Sequence, residues 1–148
     1  MYTAKQKNGL LSESLIMTKL LEKDIPFAIP FGSFDEYDLV IDTTKGLKKI
    51  QVKTCYFDKS SNRYVISLTT SHRRSKTITN KKYSSDSFDY LIGVCKELNT
   101  FYIIPINEIA GKRQITVYPE GIPKSTLRAN KNAGFNYEAY KENWSILM

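Results

Sequence analysis

The sequence predicts an α/β fold of the α+β kind, with one central mixed or mainly antiparallel sheet flanked by helices. Three observations carry that prediction. An amphipathic stretch opens the chain, with Leu10, Ile16, Met17, Leu20 and Leu21 spaced for one helix face. Apolar and polar residues alternate over 37–42 and again over 47–55. Two further apolar runs, 88–95 and 100–106, flank a short polar turn. At 148 residues and 41% hydrophobic composition, the chain is expected to form a single domain spanning 1–148.

Taken in order, residues 8–23 read as a helix that Gly9 opens and Asp24-Ile25-Pro26 closes, since proline cannot continue a helix. Glu13 falls within its apolar stripe, where a carboxylate needs a partner. Residues 27–34 form an extended segment and turn around Pro30 and Gly32. In the next strand Tyr37, Leu39 and Ile41 point one way and Asp38, Val40 and Asp42 the other. Thr43 to Gly46 reads as a hairpin loop into a strand over 47–55, with Ile50 and Val52 on one face and Lys49, Gln51 and Lys53 on the other. A third strand, 63–70, is expected antiparallel to it. Residues 71–87, poor in apolar side chains, read as a loop, followed by strands 88–95 and 100–106 and a short helical turn within 104–110. The stretch 111–134 reads as irregular, and 136–147 as a short terminal helix using Tyr137, Tyr140 and Trp144.

Composition narrows the function classes. Twenty-two basic residues against 15 acidic ones give a net charge of +7, which points to a polyanionic partner. Two cysteines, Cys55 and Cys95, make no disulfide framework and sit in apolar strand segments. His72 is the single histidine, so a Cys/His zinc site is not expected. No apolar run has the length of a membrane span, the opening residues carry no signal-peptide core, and a cytoplasmic location is expected.

The chemistry gathers around two strands and the first helix. Alternation puts Gln51 and Lys53 on one face, about 7 Å apart along the strand. Asp38, a hairpin away, can face the same side, and Glu13 joins if its helix packs there. Carboxylate oxygens are the preferred ligands of hard cations such as magnesium. A bound cation can polarise a phosphoryl oxygen and lower the pKa of a water. Lys53 offers a compact positive charge to the attacking water or to charge developing on phosphorus. The set suits phosphodiester hydrolysis.

These residues, in this order, resemble the PD-(D/E)XK nuclease superfamily. Glu13 in the first helix, Tyr37-Asp38-Leu39-Val40 and Ile50-Gln51-Val52-Lys53-Thr54 correspond to its helix acid, its strand Asp and its x-x-Lys strand. The stretch from Phe88 to Val94 and the stretch from Phe101 to Pro105 are similar to its later strands. The resemblance runs from about Gly9 to Trp144 and is greatest to the small homing endonucleases encoded in bacterial group I introns. It implies a PD-(D/E)XK restriction-endonuclease-like core and site-specific cleavage of double-stranded DNA at a long target, in the service of intron mobility. It implies Asp38 as the central metal ligand, Lys53 as the catalytic lysine and Glu13 as a further acid, with Gln51 completing the set. Mg2+ is the implied cofactor, with Mn2+ or Ca2+ able to occupy the site, and a homo-oligomer, at least a dimer and by resemblance a tetramer, the implied assembly.

Gln51 departs from the pattern, which has Asp or Glu there; an amide carbonyl can still ligate but adds no charge. The number of metal ions is thereby left open. The usual proline before the Asp is also absent. The same residues fit a Holliday-junction resolvase or a restriction-type nuclease, and Gln51 is also compatible with a catalytically silent DNA-binding module. For DNA contacts the leading group is Arg73, Arg74, Lys76, Lys81 and Lys82, the second Arg63, Lys124, Arg128 and Lys131, and His72 is a further candidate.

Overall fold

The computed structural model describes residues 1–32, 36–74, 77–129 and 137–148, with the backbone path alone over 71–74 and 77–80. Helix α1 spans Ala4–Glu22. It begins earlier than Gly9 because Thr3 caps it: the Thr3 hydroxyl accepts from the Gln6 N–H while the Gln6 side chain accepts from the Thr3 N–H. Its buried face is Ser12, Ile16 and Leu20, with Leu15 and Met17 packed beside it. Leu10 and Leu21, expected inward, are 43% and 66% exposed. At 100° per residue both lie on the side of the helix opposite Ser12.

Among the described residues ten strands follow: β1 (Phe27–Ala28), β2 (Leu39–Thr43), β3 (Gly46–Thr54), β4 (Tyr56–Asp58), β5 (Arg63–Ser67), β6 (Thr69–Arg74), β7 (Thr77–Lys82), β8 (Tyr90–Cys95), β9 (Thr100–Pro105) and β10 (Gln114–Val117). The central sheet is mixed, in the order β1-β2-β3-β8-β9. In it β3 and β8 pair in parallel, and β1–β2, β2–β3 and β8–β9 are antiparallel. Parallel neighbours need a long crossover, and here β4 to β7 supply it. The expected pairing of the 63–70 strand with β3 is not found among the described residues. β5 pairs instead with β4 and β10 in a three-stranded sheet, and the chain starts a new strand at Thr69.

Two hydrophobic clusters form. Ile16 and Leu20 of α1 pack with Leu39, Ile41, Ile50, Val52, Ile92, Val94, Phe101, Ile103 and Trp144. The other gathers Ile66 and Leu68 with Tyr83, Phe88, Leu91, Tyr102, Ile104, Ile115 and Val117. β8 alternates between them, Leu91 in one and Ile92 in the other, as a strand covered on both faces must. Tyr37 packs against the second cluster rather than with Leu39 and Ile41 in the first. Cys55 and Cys95 are buried free thiols of that cluster.

Three other sequence expectations are corrected. Where a loop was expected over 71–87, residues 69–74 and 77–82 pair as antiparallel strands, β6 and β7. The 111–134 stretch contains β10 and helix α2 (Lys124–Ala129). The C-terminal part holds 3-10 turns at Glu138–Tyr140 and Trp144–Leu147 in place of one α-helix. There the Glu142 carboxylate accepts from the Phe101 N–H and the Trp144 indole, which ties the chain to β9 turn by turn. Among the described residues no helix is long and apolar enough to cross a membrane.

Candidate active site

The register of β2 on β3 builds the site. Leu39 opposes Ile50, so both side chains enter the core. Asp38 and Gln51, one residue out of phase with that pair, turn to the other face. The Asp38 N–H donates to the Ile50 carbonyl at 2.8 Å, which extends the pairing one step beyond the strand. Asp38 Oδ2 accepts from the Val52 N–H and from Gln51 Nε2, both at 2.7 Å. Gln51 Nε2 also donates to the Val52 carbonyl at 3.1 Å. Both amide protons of Gln51 are therefore committed, which leaves its carbonyl oxygen and Asp38 Oδ1 without donors among the described residues.

α1 delivers Glu13. Buried Ser12 shares a 2.7 Å hydrogen bond with the Thr54 hydroxyl at the end of β3, and this fixes the helix against the strand that carries Gln51 and Lys53. Glu13, Asp38, Gln51 and Lys53 then line one cavity of about 480 Å³, together with Lys5, Glu36, Tyr37, Thr69, Thr70 and Tyr83. Lys53 Nζ donates to the Thr69 carbonyl at 3.2 Å and lies over the face of Tyr83, 5.4 Å from its ring centre. Glu36 accepts from Ser87 and from Lys81 Nζ, the latter at 3.1 Å.

Burial dominates the electrostatics of the site. Burial, then the nearby charge of Asp38, raises the Glu13 pKa above the usual carboxylate range. Burial also raises Asp38, against the opposing effects of the Val52 N–H and Lys53. Burial lowers Lys53, with Asp38 acting the other way and Lys5 adding to the decrease. Burial pushes the Tyr83 phenol up, so it stays neutral. At the cavity wall, the Thr70 hydroxyl is buried with no hydrogen-bond partner among the described residues, a cost of about 1–3 kcal/mol.

This donor set fits a divalent cation. Two partly buried carboxyls repel each other, and oxygens of Asp38 and Gln51 remain without donors; a hard cation satisfies both conditions. Among the described residues no three acidic, histidine or cysteine side chains cluster as a metal site. With Gln51 in the third position, Glu13 and Asp38 supply the charge and the amide an uncharged oxygen.

The structure thus unites the four predicted catalytic positions, and adds Lys5, Glu36, Thr69, Thr70 and Tyr83, which the sequence pattern did not single out. The Thr pair had a signal in its β-branched side chains; Lys5 had one in the Thr3–Gln6 capping pattern, which starts the helix before it. Of the predicted DNA contacts, His72, Arg73, Arg74, Lys81 and Lys82 belong to the β6–β7 hairpin, whose first residue, Thr69, touches Lys53. Arg63 borders a different cavity, of about 400 Å³, beside Ser125 and Thr126 of α2, and Lys124 and Arg128 are exposed on that helix. Lys76 and Lys131 lie outside the described residues.

A mixed sheet whose paired strands offer an Asp, a Gln and a Lys to an acid from the first helix is the framework of a metal-dependent endonuclease. The sequence matches the PD-(D/E)XK endonuclease family over residues 3–137, and the chain belongs to that family. Its fold is similar to that of a bacterial homing endonuclease, I-Ssp6803I, with a TM-score of 0.80 at 22% identity, over 97% of this chain and 93% of that one. It is similar, less closely, to the crystal structure of MepB, with a TM-score of 0.51 at 17% identity over 87% and 95% of the two chains. No curated protein matches the sequence significantly.

Proposed function

We propose that this endonuclease is a site-specific homing enzyme, which hydrolyses both strands of a long DNA target with magnesium and so serves intron mobility. The observation that carries the catalytic part is the convergence of Glu13, Asp38, Gln51 and Lys53 on one cavity. The likeness in fold to a homing endonuclease supports the biological part. Asp38, Glu13 and the Gln51 carbonyl would hold the cation. When bound, it supplies Lewis-acid activation of the phosphodiester and of water. Lys53, whose amine donates to the Thr69 carbonyl, would orient the attacking water and balance charge on the phosphoryl oxygens.

In the same reading, DNA is gripped by the β6–β7 hairpin, and Arg63 with the basic residues of α2 forms a second contact region. The working unit is a homotetramer, or at least a dimer, of one catalytic domain per chain, acting in the cytoplasm.

The deciding experiment incubates the protein with a randomised plasmid library and with genomic DNA carrying the intron-free form of the interrupted gene, in magnesium, and maps new ends. Cleavage at one sequence, lost in EDTA and in Lys53→Ala, is expected. Cleavage of four-way junctions without sequence preference would instead make it a resolvase. Tight binding without any cutting would make Gln51 the mark of a silent module.

A further inference from the structure

A second cavity, of about 710 Å³, adjoins the acid-lined one and shares Lys5, Lys53 and Thr69 with it. The two differ in charge. Glu13, Glu36 and Asp38 border the first, whereas the lining of the second has Lys5 and Lys53 and no acid. Gly9 also lines it, inside α1, where glycine costs about 1 kcal/mol relative to alanine. A Cβ at Gly9 would meet nothing within 4 Å, so close packing does not require the glycine. Its consequence is an open approach to the helix backbone. Beside it, Asn8 Oδ1 accepts from Lys96 Nζ at 2.9 Å, which turns the Asn8 amide group into a held donor. Tyr56, 48% exposed, gives the cavity an aromatic surface.

Resting on the nuclease reading above, we propose that this second cavity is a phosphodiester-binding subsite. In it the backbone of the cut strand crosses Gly9, and Lys5 and the Asn8 amide hold the phosphate next to the one being cut. The charge pattern sets the register. The acid-lined cavity repels a phosphate unless a cation is present, and the neighbouring basic one attracts it. Lys53 and Thr69 lie on the boundary, so adjacent phosphates of one strand fall on either side of them. Lys5 is then a positioning residue, which fixes where along the strand the cut is made.

The test uses a labelled mixed-sequence duplex of about 30 bp in calcium, with salt varied, alongside nicking of supercoiled plasmid in manganese. Lys5→Ala is expected to weaken binding roughly fivefold to tenfold and to reduce the salt slope by about 1, and Lys5→Arg to keep both near wild type. Gly9→Leu should match or raise the melting temperature, since leucine favours the helix, and still lose affinity by filling the opening. Wild-type affinity and slope in both Lys5→Ala and Gly9→Leu overturn the subsite and leave the nuclease reading standing, as does a wild-type protein that nicks plasmid without salt-dependent duplex binding. Wild-type binding with these losses, but no metal-dependent nicking, overturns the nuclease reading and keeps the subsite.

Discussion

Gln51 governs the balance of charge at the site. Its amide donates to Asp38 Oδ2 and to the Val52 carbonyl, so Gln51→Glu would set a carboxylate against two acceptors. The metal-free variant is expected to lose about 1–3 kcal/mol, a fall in melting temperature of roughly 4–10 °C, and magnesium should restore most of it. Melting curves in EDTA and in magnesium decide this, and equal metal-free stability would remove the proposed clash. Asp38→Asn should behave differently. The asparagine oxygen can accept both bonds now made to Oδ2, so the fold and DNA affinity, within about tenfold, should survive while cleavage is lost. Normal cutting by that variant would exclude Asp38 from the reaction. Glu13 gives a pH signature. Its pKa is raised in the folded protein, by burial first and Asp38 second, so ionisation destabilises the metal-free fold. The stability is present below the unfolded pKa of about 4.3 and falls as pH rises through the raised folded value. In EDTA at neutral pH, Glu13→Gln should therefore melt above wild type, with the gap closing toward pH 4; a gap that does not depend on pH would point to a packing effect instead.

At the scale of elements, the site depends on how closely the second sheet sits on the first. Gly93 of β8 lies directly under Ile66 of β5, and a Cβ there would collide with the Ile66 side chain and touch Tyr102. Gly93→Ala should cost about 1–3 kcal/mol by overpacking. Adding Ile66→Val should return part of that loss, a coupling that a double-mutant cycle reads directly. These contacts also show why parts of the fold were legible and others were not. The β2–β3 hairpin could be read because alternating residues such as Leu39, Ile41, Ile50 and Val52 report a buried face, and the same alternation put Asp38 beside Gln51. The β6–β7 hairpin could not be read that way. Its residues 69–74 and 77–82 include Ile78 as their one large aliphatic, so the Thr-rich β propensity was the remaining signal. The crossover role of β4 to β7 was hidden too, because non-local pairing such as β5 with β10 leaves no local pattern.

For the whole molecule, a net charge of +7 coexists with a cavity bordered by Glu13, Glu36 and Asp38, whose lining holds only Lys5 and Lys53 of the 22 basic residues. Neutralising Arg73 and Arg74 on the β6–β7 hairpin should weaken duplex binding and flatten its salt dependence by about one unit for each phosphate no longer neutralised. An unchanged slope would move the main DNA surface toward Arg63 and α2. In the proposed assembly each chain brings one Asp38 and one Lys53, and two chains related by symmetry each cut one strand of the duplex. Co-refolding equal amounts of wild type and Lys53→Ala should then give mixed assemblies in which one strand is cut and the other is not. On a supercoiled plasmid carrying the target, these mixtures should accumulate nicked circles well beyond the wild type alone. If they yield linear product in proportion to the wild-type share and no excess of nicked circles, the two cuts are made by one chain in turn, and the symmetric arrangement is wrong.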